Sequence, residues 1–243
     1  MVVKSQLKLI KSLHQKKNRT QHGLFIVEGE KGIADALANG LAPYLLLSSQ
    51  AQSTANSFEK ISDIALSQIS ALKNPNGHLG VFRIPKQGKL NFKDWVVVLD
   101  GLQDPGNLGT IIRLCDWFGI KQILCSPDTV DVYNPKAVQA SMGSLSRISV
   151  YYESIIPHIQ GLNIPIYGTF MEGTPIQKIA FKTPGIIILG NEGNGISAAL
   201  SEFVTEKIAI SSHPASQAES LNVANAAAIV FYEMRRYLLK SKY

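Results

Sequence analysis

The sequence predicts an α/β fold in which a mostly parallel sheet is covered by helices on both faces. From about residue 95 onwards, short continuous apolar runs alternate with helical patterns, which is typical of parallel strands buried on both sides. Glycine, proline and asparagine separate these runs, as expected for the connections between such elements. A shorter first segment alternates in the same way and predicts a second, smaller α/β domain.

Composition and charge narrow the class of protein. The chain has 243 residues, of which 45% are hydrophobic and 17% charged, as in a soluble folded protein rather than a disordered one. No apolar run approaches the length needed to cross a bilayer. The formal net charge of +6 favours an acidic partner such as nucleic acid, although charge alone is a weak indicator.

The two cysteines bear on metal binding and on compartment. Cys115 and Cys125 lie in an apolar helix and an apolar strand, without the spacing of a metal site. We therefore expect buried, reduced thiols, a cytoplasmic protein and no metal. The N-terminal residues lack the apolar core of a signal peptide. Because no acidic residue precedes Glu28, a mitochondrial transit peptide is an alternative.

The first segment reads as three helices alternating with three strands. Gly40 is placed to end the second helix as a C-cap. A polar stretch with proline and glycine then reads as a linker. We divide the chain into a first domain over 1–84, a linker over 85–94 and a second domain over 95–243. After an N-terminal basic helix, strands are predicted at 23–29, 42–48 and 78–84 and helices at 30–40 and 61–72.

The second domain alternates strand and helix throughout. Strands are predicted at 95–100, 121–127, 148–153, 165–170, 185–191 and 207–211. Helices are predicted after the turn at 104–107, over 135–146 and from 221 towards 240.

The first polar turn is Asp104-Pro105-Gly106, after which Asn107 is predicted to cap a helix. Arg113 lies off the apolar face of that helix, and Asp116 follows three residues later. Spacing alone is equally compatible with an exposed Arg–Asp pair of little energetic consequence.

The second turn contains Gly190, Gly193 and Gly195 between a buried strand and a helix starting at Ser197. Such glycines let backbone approach a ligand closely, but they also suit a tight loop that binds nothing. Glu192 at the centre of the loop favours a functional role, because a carboxylate among glycines contributes little to packing.

The third turn ends at Ser220, and a nearly apolar helix that we expect to be buried is predicted to begin at Leu221 and Asn222. Ser220 is either a functional group or only a helix cap. Three polar turns at the carboxyl ends of parallel strands predict one crevice site.

Three stretches of the chain resemble, in order, the sequence motifs of the TrmH/SpoU family of RNA ribose 2′-O-methyltransferases. They are LDGLQDPGNLGTIIRLCDWFGI, IIILGNEGNGIS and AESLNVANAAAIVFYE, between about residues 95 and 240. The N-terminal stretch KKNRTQHGLFIVEGEK resembles, more loosely, the family's RNA substrate-binding extension, a small α/β domain similar to some ribosomal proteins.

The resemblance implies a knotted SPOUT-type second domain with a deep trefoil knot, a homodimer, and S-adenosylmethionine as methyl donor. It also implies that the first polar turn carries the family's N-x-G-x-x-x-R pattern. The catalytic positions it implies are Asn107, Arg113, Glu192, Ser220 and Asn222. The cofactor-binding positions it implies are Thr169, Phe170, Leu189, Gly190, Asn191, Glu192, Gly193, Ile208, Ile210 and Leu221.

The chain departs from its relatives in one loop, where Ser211 replaces a common proline after Ile210 and residues 211–218 form a longer loop. No histidine is clearly placed as a base, since His213 before a proline is more often merely solvated. A guanidinium stays protonated, so we favour Arg113 as a clamp on the RNA phosphate and the developing alkoxide rather than as a base.

Basic residues near the N terminus are candidates for RNA capture. Lys4, Lys8 and Lys11 recur at helical spacing and would share one face. A solvated basic face is the alternative. The predicted RNA contacts are Lys11, Lys16, Lys17 and Arg19.

Two other functions remain open at this point: a non-catalytic RNA-binding or ribosome-assembly factor, and an enzyme acting on a small nucleotide. The complete set of motif residues argues against the first, and the absence of phosphate-binding fingerprints argues against the second. The basic N-terminal segment favours ribosomal RNA over transfer RNA as substrate.

Overall fold

The computed structural model describes residues 2–50 and 58–240, and the chain divides into two compact units. Unit one comprises Met1–Lys86 and Asp131–Arg147, and unit two comprises Gln87–Val130 and Ile148–Tyr243. The chain therefore enters unit one twice.

The helices and strands follow one another along the chain in an alternating order. They are α1 (Lys4–Ser12), α2 (Lys16–His22), β1 (Leu24–Glu28), α3 (Glu30–Ala38), β2 (Pro43–Ser48), β3 (Glu59–Lys60), α4 (Asp63–Ile69), β4 (His78–Arg83), β5 (Val96–Leu99), α5 (Pro105–Trp117), β6 (Gln122–Cys125), α6 (Pro135–Ser141), β7 (Ser149–Tyr152), α7 (Ile156–Ile159), β8 (Ile166–Pro175), β9 (Ile186–Leu189), α8 (Ala198–Ser201), β10 (Glu206–Ala209) and α9 (Val223–Lys240).

Every strand predicted from an apolar run is present, and the predicted helices end within about three residues of their expected ends with one exception. The helix predicted over 135–146 stops at Ser141, where Met142 turns left-handed, and a 3₁₀ turn follows at Ser144–Ser146. Gly40 adopts a left-handed φ of 79° just beyond α3, as the C-cap prediction requires. The basic N-terminal stretch forms two helices, α1 and α2, where the sequence suggested one. The short elements β3 and α7 were not predicted, since runs of two to four residues carry no clear periodicity.

Unit one is built on a four-stranded sheet in the order β1-β4-β2-β3. Successive side chains of a strand point to opposite faces, and both faces of this sheet are covered. Leu24 and Ile26 of β1 pack with Leu13 at the end of α1. Phe25 and Val27 of the same strand pack on the other face, with Val138 of α6.

The second pass of the chain through unit one is fixed by α6 and by a buried ion pair. Arg19, in the middle of α2, is only 3% exposed and its Nη2 lies 2.5 Å from Oδ2 of Asp131. Its Nη1 donates to the carbonyl oxygens of Leu13 and His14. The sequence-based domains 1–84 and 95–243 remain a prediction, and they leave out this return to unit one.

Unit two is a six-stranded sheet in the order β10-β8-β9-β5-β6-β7, in which every strand pair is parallel. All four residues of β5 and of β9 are buried, as the continuous apolar runs predicted. Strands β6 and β7 follow β5 along the chain and lie on one side of it, whereas the later strands β8, β9 and β10 lie on its other side. The boundary between β5 and β9 is thus a topological switch point, where α/β sheets bind ligands.

Strand β8 is interrupted beside β10. Tyr167 and Gly168 pair with Glu206 and Lys207, and the register then shifts so that Ile208 pairs with Thr174. The intervening residues 169–173 bulge out of the ladder. A Cβ on Gly173 would lie 2.6 Å from the Lys207 carbonyl oxygen, so this glycine permits the close approach.

Candidate active site

The first polar turn lies between the end of β5 and the start of α5. The helix begins at Pro105, and its N-cap is Asp104, whose Oδ1 accepts from the Asn107 backbone N–H at 2.8 Å. Proline at the first helical position is compatible with this arrangement because it needs no backbone donor there. The prediction that Asn107 caps the helix is wrong, and its side chain is consequently available for other contacts.

Three predicted catalytic residues, one from each motif, form a hydrogen-bonded chain. Asn107 Nδ2 donates to Glu192 Oε1 at 3.0 Å, and Asn222 Nδ2 donates to Asn107 Oδ1 at 3.0 Å. The donors and acceptors are mutually consistent, because a carboxylate only accepts and therefore requires the NH₂ side of Asn107. The motifs predicted to converge do so through direct side-chain bonds.

Glu192 is the acceptor for the first turn as well as for Asn107. Backbone N–H groups of Gln103 and Asp104 lie 3.3 and 3.4 Å from its two oxygens. Partial burial raises the pKa of the Glu192 carboxyl, but the hydrogen bonds from Asn107 and from these backbone groups outweigh it, so the pKa lies below its ordinary value. Glu192 is therefore ionised near neutral pH and organises the turn.

The glycine loop is closed on itself. Asn191 and Gly195 exchange both backbone hydrogen bonds, each at 2.9 Å, and Gly195 has a left-handed φ of 68°. A Cβ on Gly190 would lie 2.2 Å from the Gly195 carbonyl carbon. Closure of a tight loop is therefore enough to explain Gly190 and Gly195 without a ligand, which is the second of the two explanations offered by the sequence. Glu192 projects from this loop to the first turn.

Two residues outside the expected catalytic set join this loop to the first turn. Asn191 Nδ2 donates to the Gly101 carbonyl at 2.7 Å, and Gln103 Nε2 donates to the same oxygen at 3.0 Å. Gly101 adopts a left-handed φ of 71°. The sequence did not predict these contacts of Gln103 and Asn191. The Asp100-Gly101 dipeptide, however, predicts a turn at the position where both side chains bind.

The third motif contributes through Asn222. Its Oδ1 accepts from the backbone N–H groups of Ala224 and Asn225 at 3.0 and 3.3 Å, so Asn222 caps α9 while its amide nitrogen reaches Asn107. The interpretation of Ser220 as the cap is therefore wrong. Ser220 is exposed, two residues before the cap.

Arg113 lies in α5, six residues beyond Asn107, and its side chain is exposed. Asp116, the partner that spacing suggested, lies 3.9 Å from Lys121 Nζ. The exposed Arg113 side chain lies on the helix that carries Asn107.

The predicted cofactor positions follow the carboxyl ends of three adjacent strands. Thr169 and Phe170 lie in the bulge of β8, Leu189 ends β9, and Ile208 and Ile210 are in and after β10. Leu189 and Ile208 are buried, whereas Leu221 is half exposed. Apolar side chains beside a glycine-lined backbone suit an aromatic ring and its polar edge, so these residues fit an adenosyl group.

The predicted RNA contacts divide into two groups. Lys11, Lys16 and Lys17 are exposed on α1 and α2, where phosphate can reach them. Arg19 is buried against Asp131 and its guanidinium is occupied. Its assignment as an RNA contact is therefore wrong, because a side chain committed to a buried ion pair stabilises the unit instead.

Two family matches cover most of the chain. Residues 94–232 match the SpoU rRNA Methylase family, and residues 4–80 match the MRM3-like substrate binding domain.

Among curated proteins, the chain is 33% identical over 235 residues to a Bacillus subtilis protein named 23S rRNA (guanosine(2553)-2′-O)-methyltransferase RlmP. That alignment covers 93% of this chain and 94% of the relative.

Two solved structures are similar over nearly their whole length. A TrmH-family protein from Porphyromonas gingivalis has a TM-score of 0.87 and 33% identity, with 97% of this chain and 99% of that chain covered. The SpoU methyltransferase AviRb from Streptomyces viridochromogenes, solved with the cofactor AdoMet, has a TM-score of 0.86 and 25% identity, with 98% and 99% covered.

Proposed function

The chain belongs to the SpoU rRNA Methylase family, and we propose that it methylates a ribose 2′-hydroxyl of ribosomal RNA with S-adenosylmethionine as methyl donor. The observation that carries the proposal is the chain of bonds from Asn222 through Asn107 to Glu192, which joins the three motifs at the switch point of the sheet. The chain is an enzyme, and the ribosomal substrate is supported by its 23S rRNA-modifying relative.

The chemistry requires alignment and activation of a weak nucleophile. When bound, S-adenosylmethionine would supply a methyl group on a sulfonium. The ribose 2′-oxygen would bond to the methyl carbon in line with the breaking carbon–sulfur bond, S-adenosylhomocysteine would leave, and the hydroxyl proton would pass to solvent. Arg113 contributes a permanent positive charge that stabilises the developing alkoxide and holds the RNA phosphate. Beyond its bonds to Glu192 and Asn222, the side-chain amide of Asn107 retains one N–H on Nδ2 and one lone pair on Oδ1. Both can form hydrogen bonds with the ribose.

The proposal for the cofactor rests on the three adjacent strand ends. Leu189 and Ile208 provide buried apolar surface. Thr169 donates its hydroxyl to the Ile188 carbonyl at 3.1 Å, which fixes the start of the bulge. We propose that this bulge, the 189–193 backbone and Leu221 hold the adenosine, and that Ser220 lies at the methyl-transfer end.

A homodimer is proposed from exposed apolar surface on two adjacent helices. Trp117 at the end of α5 is 83% exposed, and Ile229 and Tyr232 of α9 are exposed as well. Helices α5 and α9 pack together, with the rings of Phe118 and Phe231 6.2 Å apart. A second copy would cover this face. Trp117→Glu should then yield a monomer by light scattering, and an unchanged mass would contradict the dimer.

The deep trefoil knot is proposed from the path of the chain after β10. Strand β10 lies at the edge of the sheet beside β8, yet α9 packs on α5, which follows the central strand β5. Residues 210–222 therefore carry the chain back from the edge to the centre. We propose that this return forms the knot, a feature almost absent outside a few folds.

The cellular location is proposed to be the cytoplasm. Both cysteines are buried and free, consistent with a reducing compartment. None of the helices in the described part of the chain is long and apolar enough to cross a membrane.

The proposed function is tested by methyl transfer from labelled S-adenosylmethionine to 23S rRNA transcribed in vitro, followed by digestion to nucleosides. Label on the ribose is the expected result. Label on a base, or no label from protein that binds both cofactor and rRNA, would contradict the proposal.

A further inference from the structure

Unit one contains a cavity of about 220 Å³ beside α3 and the end of α6. Its apolar lining includes Phe25, Val27 and Val138, which belong to the core on that face of the sheet. Polar side chains also line it, among them Asn76 and Gln139. An apolar surface with a few polar groups is the usual character of a ligand site.

The backbone at one edge of the cavity is unusual. Met142 adopts a left-handed φ of 50°, and it is the one non-glycine residue with positive φ in the parts of the chain that the structure describes. Its side chain is 53% exposed and lines the cavity. Left-handed backbone at a non-glycine residue is strained, and such strain is concentrated at binding sites. A flexible thioether packs well on planar rings.

Gly143 completes this edge. It has a φ of 88°, and a Cβ there would lie 2.3 Å from Oδ2 of Asp35 in α3. The turn after α6 is therefore held close against α3, and Met142 is placed at the mouth of the cavity by a turn that accepts no side chain at the next position.

Size and charge identify the kind of ligand. Pockets for drug-sized molecules measure roughly 300–1,000 Å³, so this smaller cavity suits a single planar ring system. Unit one carries thirteen Lys and Arg against six Asp and Glu, a net charge of +7, whereas unit two carries eleven against twelve, a net of −1. The positive charge of the protein is thus concentrated on the unit that holds the cavity, which favours a ring belonging to a polyanion. In the lining itself the charged residues are Lys31, Glu28 and Glu30, so the attraction to a polyanion comes from the unit as a whole.

We propose that the cavity receives one unstacked base of the substrate RNA, with Met142 against its face and the amides of Asn76 and Gln139 at its edge. This inference rests on the proposed function, and it names the part of the RNA that unit one recognises. Proteins read RNA largely through bases splayed from loops and bulges, which offer a face for packing and an edge for hydrogen bonds.

The test uses Gln139→Trp, which fills the cavity from the exposed surface of α6, and Gln68→Trp as the matched control. Gln68 is exposed on α4, whose core residues pack on the opposite face of the sheet. We expect Gln139→Trp to raise the Kd for 23S rRNA about tenfold, the effect of losing one packed base. Its affinity for S-adenosylmethionine should be unchanged, and Gln68→Trp should bind rRNA like the unaltered protein.

A second variant protects the test against a folding defect. Met142→Gly relieves the left-handed backbone, so its melting temperature should be equal or higher, yet it should bind rRNA several-fold more weakly. Wild-type rRNA affinity in both Gln139→Trp and Met142→Gly would overturn the inference.

The two proposals fail in different ways. Methyl transfer by the unaltered protein tests the proposed function by itself. If that transfer is found and both variants bind rRNA normally, only the base-binding cavity is wrong. If the unaltered protein binds rRNA without methylating it, the function is wrong while the variants still report on the cavity.

Discussion

Asn107 and Glu192 lie 85 residues apart in the chain and are joined by a 3.0 Å hydrogen bond from Nδ2 to Oε1. The bond couples the first turn to the glycine loop, and Asn222 extends it to the third motif. Each of the three side chains therefore holds the others in place, and a change at one of them should be felt across the site.

Arg113→Ala should abolish most methyl transfer while leaving the fold and cofactor binding intact. The side chain is exposed, so its loss costs little stability. Removing one group that stabilises charge in a transition state typically lowers kcat by about 100-fold to 1,000-fold. Rate measurements with labelled S-adenosylmethionine, alongside Arg113→Lys, provide the check. Undiminished transfer by Arg113→Ala would exclude the clamp.

Glu192→Gln should change how stability depends on pH. Because the pKa of Glu192 in the folded protein lies below its ordinary value of 4.5, the carboxylate contributes stability above that pH and loses it as the pH falls through the folded pKa. The wild type should therefore lose melting temperature more steeply below about pH 4.5 than Glu192→Gln. Parallel curves for the two proteins would show that the Asn107 and backbone bonds do not favour the charged form.

Two glycines of one loop should differ in how well they tolerate alanine. A Cβ at Gly190 would meet backbone at 2.2 Å, whereas at Gly193 the nearest atom is a side-chain oxygen of Asn191 at 3.6 Å. Gly190→Ala should destabilise the protein by roughly 1–3 kcal/mol and weaken S-adenosylmethionine binding. Gly193→Ala should keep nearly the stability of the unaltered protein. Chemical denaturation and calorimetric titration measure both effects, and equal behaviour of the pair would refute the close packing.

Breaking the buried pair of unit one should be costly. Arg19→Met leaves Asp131 without its partner, and removing one member of a buried ion pair typically destabilises by about 3–5 kcal/mol. The double variant Arg19→Met with Asp131→Leu should recover part of that loss, since neither charge then remains buried. A double variant no more stable than Arg19→Met would argue against the pairing.

We expect Lys11, Lys16 and Lys17 to bind rRNA by contacting its phosphate groups. Replacing all three with alanine should weaken rRNA binding and reduce the slope of log affinity against log salt by about two to three. Arg19, being buried, is not part of this set. Binding isotherms at several salt concentrations test the prediction, which fails if the slope is unchanged.

Much of the architecture followed from local pattern. Continuous apolar runs such as Val96–Leu99 and Ile186–Leu189 can only be satisfied by burial on both faces, so the parallel sheet was predictable. The spacing within each motif also placed Asn107 and Asn222 at the starts of helices and Glu192 in the loop after a strand, because strand, turn and helix signals are all local.

Roles that depend on contacts between distant residues were not predictable from spacing. Asn107 and Ser220 resembled helix caps, but Asp104 and Asn222 do the capping. Several residues suit a cap in isolation, and the fold decides which of them has its side chain free to reach a backbone N–H.

The sequence by itself determined the alternation of elements, the glycine turns and the family motifs, because these depend on neighbours along the chain. Tertiary structure alone decided that Arg19 is buried against Asp131, 112 residues away, and that 131–147 returns to unit one. The physical reason is that burial and charge pairing are properties of surfaces that meet in space. A lysine-rich, basic stretch gives no sign of which of its members will be taken out of water.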